Sequence, residues 1–406
     1  MGEESPRRLP HPEARDEVTC VIVRTRWLLA LLACTVAHAA PNKDAPPATF
    51  DHAAGLEHWR AALAAQRTGK PDRPLRISYF GDSLTADDHI THALRTKLGA
   101  LVGDGGPGFV FAAPPHPYCH HRAVSRFVTG AWRVNGISTS PAPDRLLGLG
   151  GSAETDQGNV RMTLAKSTVK SVDVHYLMQP HGGRLEVLAD GNVLQQLLTA
   201  GERKQAAFVR VDVPDGTKKI DLRASGRVRL FGASLEAAKG AIVDNLGVVN
   251  ATAKQLQKNN MPEHWRNQLA HRGSDLVIIM LGTNEAEWLA PKGAGMAEHE
   301  KLFGALLASV HAGNPGGSCL VVSPLDQLDW RAEGMPPRDS IPAMVDAQKR
   351  AALANGCAFW NAYEWMGGKG ASRGWFKAGW VVKDFQHPTT TGAMRIADAL
   401  YAGLTR

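Results

Sequence analysis

The sequence predicts an α/β fold in which a parallel, doubly wound sheet of five strands is interrupted by an inserted antiparallel β-sandwich. Apolar strand-like runs alternate with helix-like segments up to about residue 110 and again from residue 239, which is typical of parallel strands joined by helical crossovers. Between about residues 159 and 236 the apolar residues recur with period two and no helix pattern intervenes, which favours antiparallel strands. We therefore expect one α/β domain in two parts, 48–110 and 239–406, around a β-sandwich and its connecting loop at 111–238.

Residues 1–39 are typical of an export signal with a polar N-terminal extension. Arg24 and Arg26 precede the apolar run 27–36, which is followed by the small-x-small cleavage pattern at 37–39. The run is too short to span a bilayer, which takes about twenty residues. A second interpretation is a lipoprotein cleavage box that ends at Cys34, which would then carry lipid and attach the protein to a membrane. Both interpretations predict an exported protein, either periplasmic or secreted.

Charge and cysteine content bear on the class of protein. The net charge of +7 is modest for 406 residues, without a dense block of Lys and Arg, so we expect diffuse solubilising charge and no nucleic-acid partner.

Cys119, Cys319 and Cys357 follow the signal segment and are too few for a disulfide framework. A single bridge between Cys319 and Cys357 is left open, because each precedes a predicted strand. The histidines around Cys119 fit no common zinc spacing, and we expect a monomer without metal or cofactor.

Periodicity assigns the elements in order. A helix pattern at about 52–68 precedes the strand Leu75–Phe80, and a second helix pattern follows Ser83 and ends at the glycine-rich loop 103–108. The Pro- and Gly-rich residues 109–158 are predicted to be irregular. Six short strands are predicted in the insert, beginning near Arg161, Val172, Arg184, Phe208, Lys219 and Arg227. After the insert we predict strands at 241–244, 275–280, 319–323 and 358–360 and helices at about 251–259, 262–271, 296–311, 341–355 and 391–404.

Three groups of polar residues follow predicted strands or precede the last helix. Ser83 lies at the first strand-to-helix turn, Asn284 follows the strand that ends near Leu281, and Asp384 precedes His387 by three residues. Each alone is compatible with an ordinary turn or helix cap. At the carboxyl edge of one parallel sheet, however, the serine hydroxyl, a histidine base and its orienting aspartate form an acyl-transfer site. Asn284 is then a candidate to donate an amide N–H to the oxyanion.

These segments resemble the sequence blocks of the SGNH, or GDSL, hydrolase family. The matching runs are Gly81-Asp82-Ser83-Leu84, Gly282-Thr283-Asn284-Glu285 and Asp384-x-x-His387. The resemblance implies a flavodoxin-like sheet in which Ser83 is the nucleophile, His387 the general base and acid, and Asp384 its orienter. It also implies that the Ser83 backbone N–H and the Asn284 side chain are oxyanion donors.

The family's second block departs from the expected pattern in this chain. The family usually has a glycine there whose N–H is a third oxyanion donor. In the corresponding stretch, 244–251, Asn250 stands where that glycine is expected and Gly247 lies three residues earlier. Asn tolerates positive φ better than most residues, so both Asn250 and Gly247 are candidates for the third donor.

A narrower resemblance concerns the substrate. The loop Gly103–Val110, the inserted β domain and Met366-Gly-Gly-x-Gly370 are similar to features of exported peptidoglycan O-acetylesterases, whose jelly-roll-like insert resembles carbohydrate-binding modules. This similarity implies removal of O-acetyl groups from a wall polysaccharide through an acetyl-enzyme. Another acetylated glycan, a small ester or a lipid is an alternative substrate, and a non-catalytic glycan-binding protein is the alternative of another class. Aromatic residues upstream of Asp384 either pack in the core and loops or form a platform on which sugar rings stack, and Trp375 and Trp380 are the better candidates for such an exposed platform.

Overall fold

The computed structural model describes residues 45–69 and 71–406, so the predicted export signal and the lipidation of Cys34 lie outside the described residues. Its strands are β1 (Leu75–Gly81), β2 (Gly108–Phe111), β3 (Val124–Gly130), β4 (Arg133–Gly136), β5 (Gly151–Leu164), β6 (Ser171–Met178), β7 (Arg184–Ala189), β8 (Asn192–Leu198), β9 (Gln205–Asp212), β10 (Lys219–Glu236), β11 (Ala241–Gly247), β12 (Leu276–Met280), β13 (Ser318–Val322) and β14 (Ala358–Trp360). Its α-helices are α1 (Glu57–Arg67), α2 (Ser83–Ala86), α3 (His89–Val102), α4 (Ala253–Asn259), α5 (Pro262–Arg272), α6 (Ala294–Gly313), α7 (Ser340–Ala354), α8 (Ala362–Met366), α9 (Ala371–Lys377) and α10 (Thr390–Leu404), and 3₁₀ turns occur at Ala53–Leu56 and Glu285–Glu287.

The five predicted α/β strands form one parallel sheet in the order β11-β1-β12-β13-β14. Both faces of this sheet are buried, as helical crossovers require. Val277 and Ile279 of β12 belong to one hydrophobic cluster, whereas Ile278 and Met280 belong to a second cluster on the opposite face. The predicted doubly wound sheet is therefore confirmed, and the carboxyl ends of its strands lie along one edge.

The insert forms a separate antiparallel sheet of nine strands, which confirms the predicted class of the inserted region. The long strand β10 pairs with β5 and β7 along its first half and with β2 and β6 along its second. The strands predicted near Lys219 and Arg227 are thus one strand, with an irregularity in its pairing to β5 between Ser225 and Val228.

Several strands of this sheet were not predicted. The stretch 109–158 contains β3, β4 and most of β2, together with the first half of β5, where the frequent Gly and Pro obscure the alternation. Strand β8 exposes most of its side chains and has no buried side chain, so it lacks the alternation that identifies a half-buried strand. The prediction of an irregular stretch at 109–158 is wrong in these parts.

A buried ionic cluster joins the two sheets. Arg272 of α5 donates from Nε to Asp244 Oδ2 at 2.6 Å and from Nη1 to Glu236 Oε1 at 2.5 Å. Arg76 of β1 donates to Glu236 Oε2 at 2.7 Å, and Asp244 Oδ1 accepts the backbone N–H of Phe109 at 2.8 Å. Burial alone would raise the pKa of Glu236, but the two guanidinium groups hold it well below its ordinary value. Strands β1, β2, β10 and β11 therefore share one paired charge network.

A disulfide links Cys319 to Cys357 and so connects β13 with the residue before β14, whereas Cys119 is a buried free thiol. This is the bridge that the sequence left open. Within residues 45–69 and 71–406, no helix is long and apolar enough to cross a membrane.

Candidate active site

Ser83 lies at the N-terminus of α2, directly after the first strand. Asp82 caps this helix, because its Oδ1 accepts the backbone N–H of Leu84 at 3.0 Å. Any Cβ on Gly81 would collide with the Thr85 hydroxyl, so the turn depends on glycine at this position. The partly exposed Ser83 is therefore the first residue of a short helix, and the next three N–H groups of this helix are all bonded to Asp82.

His387 and Asp384 lie in the loop that precedes α10, and His387 contacts Ser83. Ser83 Oγ lies 2.8 Å from His387 Nε2, and His387 Nδ1 lies 2.8 Å from Asp384 Oδ2. The second carboxylate oxygen, Asp384 Oδ1, accepts the backbone N–H groups of Gln386 at 2.9 Å and His387 at 3.0 Å. These bonds fix the ring so that Nε2 faces the hydroxyl, which is the geometry for removing its proton.

The charges around His387 favour its protonated form, the imidazolium. The hydrogen bond to Asp384 raises the pKa of His387 against the effect of burial, and the charges of Asp384, Asp82 and Asp87 add to the rise. Burial would raise the pKa of Asp384, but its hydrogen bonds from the side chain and backbone of His387 lower it. Asp384 is thus an anion when His387 is protonated.

Asn284 directly precedes the 3₁₀ turn that follows β12. Its Nδ2 donates one hydrogen to the carbonyl of Ala251 at 3.0 Å, which leaves the second amide hydrogen for another acceptor. Asn250 is exposed, and its backbone has a φ of 61°. Both Asn250 and Asn284 line a cavity over Ser83.

Gly247 has a different position from Asn250. Its backbone N–H donates to Asn245 Oδ1 at 3.1 Å. A Cβ on Gly247 would collide with the backbone N of Ala86 and would lie 2.7 Å from the carbonyl carbon of Thr85. Glycine is therefore needed here for the close approach of β11 to α2, and Gly247 is not among the residues that line the cavity.

Glu285, the residue after Asn284, is a buried carboxyl group. Its Oε1 accepts the backbone N–H of Ala253 at 2.9 Å. Burial raises the pKa of Glu285 to about 7, against the hydrogen bond from Ala253. Asn284 and Glu285 therefore hold the 250–253 segment through two successive contacts, at Ala251 and at Ala253.

The cavity over Ser83 has a volume of about 640 Å³. Ser83, His387, Asn284 and Asn250 all line it. Its walls also contain residues that sequence reasoning did not assign to the site, namely Asp87, His116, Tyr118, His120, Val249, Glu287, Trp330, Arg331 and Gln386. The only sequence signal among these was the cluster of histidines around Cys119, which the structure places in a loop.

The prediction that Trp375 and Trp380 are exposed for sugar stacking is wrong. Trp375 is only 6% exposed, and its Nε1 donates to the carbonyl of Met366 at 3.0 Å. Trp380 packs edge-on against Trp375 at 5.4 Å, and the Arg395 guanidinium covers its ring at 3.7 Å. These rings stabilise the packing around α9 and α10, whereas the exposed aromatic residues of the cavity are Tyr118 and Trp330.

In the described part of the chain, two clusters of side chains contain residue types that can bind a metal ion, and both lie outside the cavity. One is His311 with Cys319 and Cys357, whose sulfurs are joined to each other. The other is Asp173, His175 and His271, in which His271 Nε2 is 2.7 Å from Asp173 Oδ2. No residue of either cluster lines the cavity over Ser83.

Comparison with known families gives one match. Residues 215–395 match the GDSL-like Lipase/Acylhydrolase family. The matched region contains Asn284, Asp384 and His387, whereas Ser83 lies before it. The resemblance to GDSL hydrolases predicted from the sequence is confirmed. The comparison with curated proteins found no match.

One solved structure supports the whole fold, and the others share a smaller part of the chain. A peptidoglycan O-acetylesterase is 23% identical with a TM-score of 0.74, and the alignment covers 86% of this chain and 95% of that one. An acetylxylan esterase from Geobacillus stearothermophilus, solved as a catalytic mutant, is 19% identical with a TM-score of 0.29 and covers 39% of this chain and 70% of its own. A lipase/acylhydrolase from Enterococcus faecalis is 14% identical with a TM-score of 0.29, over 38% and 70%.

Proposed function

We propose that this chain, a serine esterase of the GDSL type, removes O-acetyl groups from peptidoglycan outside the cytoplasm. The observation that carries the chemistry is the continuous hydrogen-bonded series from Ser83 Oγ through His387 to Asp384, with both distances at 2.8 Å. The choice of substrate is supported by the similarity to a peptidoglycan O-acetylesterase over 86% of the chain. An exported enzyme would meet this polymer in the periplasm or at the cell surface.

The reaction begins when His387 Nε2 takes the hydroxyl proton of Ser83. The oxygen then attacks the carbonyl carbon of the acetyl group, and the carbonyl oxygen becomes an oxyanion. Its donors are the Ser83 backbone N–H at the start of α2, the free amide hydrogen of Asn284 and the backbone N–H of Asn250. Asn250 takes the third position because the N–H of Gly247 is bonded to Asn245.

Collapse of this intermediate breaks the bond to the sugar oxygen, which takes the proton from His387 and leaves as a hydroxyl group. Ser83 now carries the acetyl group as an ester. A water molecule gives a proton to His387 Nε2 and attacks the same carbon, and a second collapse returns the proton to Ser83 and releases acetate. Asp384 stabilises the imidazolium in both steps, and every proton transfer occurs at Nε2.

The form of the cavity suits an acetyl group carried by a polymer. Tyr118 and Trp330 line it and are both well exposed, and aromatic faces pack well against the apolar faces of sugar rings. A sugar ring can therefore rest at the opening while its acetyl ester reaches Ser83.

The test measures acetate released from O-acetylated peptidoglycan and from acetylated xylan of equal acetyl content, with the parent protein and Ser83→Ala. We expect the parent to favour peptidoglycan, and Ser83→Ala to lose roughly 10⁴-fold or more in kcat with an unchanged melting temperature. Release from xylan but not from peptidoglycan would contradict the proposed substrate. An undiminished rate in Ser83→Ala would contradict the mechanism.

A further inference from the structure

We propose that a second cavity, which adjoins the catalytic one, binds an anionic part of the peptidoglycan, the carboxylates of its stem peptides, beyond the acetylated sugar. This inference rests on the proposed function, since it concerns how the same site holds its polymer. The second cavity, called here the insert groove, is lined by the loop 113–122 and by residues of β3 and β4, including Phe127, Trp132 and Val134. Its volume is about 940 Å³, near the upper end of the range for small-molecule sites.

The insert groove and the catalytic cavity share one lining residue, His120. This exposed residue lines both cavities, while His116 and Tyr118 face the catalytic side and Pro114 and Pro117 face the groove. The same short loop therefore forms a shared wall. A polymer whose acetyl group reaches Ser83 can continue over this wall into the groove.

Exposed aromatic rings occur on both sides of the shared wall. Tyr118 and Trp330 border the catalytic cavity, and Phe127 of β3 lies in the groove with 65% of its surface exposed. A phenylalanine in a strand of a two-layered β domain normally faces the core, and this ring instead faces the solvent of the groove. Sugar rings offer apolar faces that pack on such side chains.

The polar lining of the groove is cationic. Its positive charge comes from Arg122 and Arg126, and its lining contains no Asp or Glu. His121 also lines the groove, but burial lowers its pKa to about 4 and keeps it neutral. The Nη atoms of Arg126 donate to the carbonyls of Phe111 and Cys119 rather than to a carboxylate. Burial lowers the pKa of Arg126 to about 10, so it keeps its charge at neutral pH.

Within the described residues, neither Arg122 nor Arg126 forms a salt bridge with a nearby acidic side chain. Asp88 accepts the backbone N–H of Arg122 at 2.6 Å, but its carboxylate is already paired with Arg95 at 3.1 Å. A ligand with carboxylates would therefore meet two guanidinium groups, those of Arg122 and Arg126, that have no salt-bridge partner in the described part of the chain. Peptidoglycan has such carboxylates on its stem peptides, whereas a neutral acetylated glycan has none.

The first test compares Phe127→Ala with Leu198→Ala. Leu198 is a matched control, because it is 64% exposed on β8 and lines neither cavity. For each protein, kcat/KM is measured on O-acetylated peptidoglycan and on p-nitrophenyl acetate, which is too small to extend into the groove. We expect Phe127→Ala to lower the ratio of the two values about fivefold, and Leu198→Ala to leave the ratio at the parent value.

The second test addresses the charge. The KM of the parent for O-acetylated peptidoglycan should rise with salt, because exposed charges are screened. In Arg122→Gln we expect a higher KM at low salt, by about threefold, and a weaker salt dependence. Parent-like ratios in Phe127→Ala together with a parent-like salt dependence in Arg122→Gln would overturn the proposal.

Failure of the proposed function would look different. A parent that releases acetate from xylan and none from peptidoglycan would contradict the substrate, and the anionic occupant of the groove with it. A parent that is active on peptidoglycan while both groove variants match it would leave the proposed function intact and contradict only the groove.

Discussion

The side-chain amide of Asn284 donates to the backbone carbonyl of Ala251 at 3.0 Å. Because only the NH₂ end of the amide can donate to a carbonyl, this bond sets which end of the side chain faces each neighbour. It also ties the turn after β12 to the segment that contains Asn250. Two of the proposed oxyanion donors are thus positioned relative to each other by a single contact before any substrate binds.

Asn284→Ala should lower kcat by roughly 10²–10³-fold with little change in KM, since an oxyanion donor acts mainly in the transition state. The measurement is steady-state hydrolysis of p-nitrophenyl acetate. Asn314→Ala is the matched control, because Asn314 is 7% exposed against 8% for Asn284 and its Nδ2 also donates to a carbonyl, that of Ser274. If both variants lose similar stability and similar kcat, the role assigned to Asn284 is contradicted.

The features that were predicted correctly depend on local sequence patterns, whereas the features that were missed depend on tertiary packing. Strands β1 and β12 are long buried apolar runs followed by polar turns, and such a pattern is readable in one dimension. Trp375 is not readable in this way, because its Gly- and Lys-containing surroundings suggest a surface while tertiary packing buries its ring. His120 and Tyr118 reach the cavity only because a loop without periodicity folds over the end of the sheet.

The pH dependence of kcat/KM should follow His387. As a base it must be neutral, and the hydrogen bond with Asp384 raises its pKa above the ordinary 6.5. Activity should therefore rise with pH through a midpoint above 6.5, and it should be lost on the acid side. Initial rates with p-nitrophenyl acetate between pH 5 and 9, corrected for spontaneous hydrolysis, measure this midpoint.

Asp384→Asn should move that midpoint to lower pH and reduce the maximal rate by roughly 10⁴-fold. The substitution removes the charge that favours the imidazolium and allows the wrong ring tautomer. An unchanged midpoint in Asp384→Asn would show that another group sets the pH dependence.

Gly247→Ala should destabilise the protein and lower activity together. Its Cβ would lie 2.7 Å from the carbonyl carbon of Thr85, so β11 or α2 must shift, and α2 carries Ser83. We expect a loss of about 1–3 kcal/mol in the free energy of unfolding, measured by denaturant titration, with a reduced kcat. Gly316→Ala is the control, since a Cβ there has no neighbour within 4 Å; an equally stable and active Gly247→Ala would contradict the close-approach argument.

Glu285 should make the stability of the protein depend on pH in the direction opposite to that of most carboxyl groups. Burial raises its pKa from 4.5 to about 7 in the folded protein. Below pH 4.5 the group is protonated in both states and adds no pH dependence. Between pH 4.5 and 7 the unfolded chain releases the proton while the folded chain retains it, so the free energy of unfolding falls as pH rises. The total loss above pH 7 is about 3 kcal/mol as an upper value.

Glu285→Gln should remove this loss and therefore gain stability relative to the parent as pH increases. Its amide oxygen can still accept the N–H of Ala253, which the parent carboxyl does at 2.9 Å, while the NH₂ group takes the place of a carboxyl oxygen that has no hydrogen-bond partner in the described structure. That buried donor imposes a cost that does not vary with pH, so the slope of stability against pH is the informative quantity.

Two ionisable neighbours bear on this slope. His299 Nδ1 is 3.9 Å from Oε1 of Glu285, but burial lowers the pKa of His299 to about 4, which leaves it neutral across the range. The negative charge of Asp82 raises the pKa of Glu285 and strengthens the effect. Urea titrations of both proteins at pH 5, 6, 7 and 8 should give differences that grow with pH; a constant difference would mean that Glu285 is already ionised at pH 5.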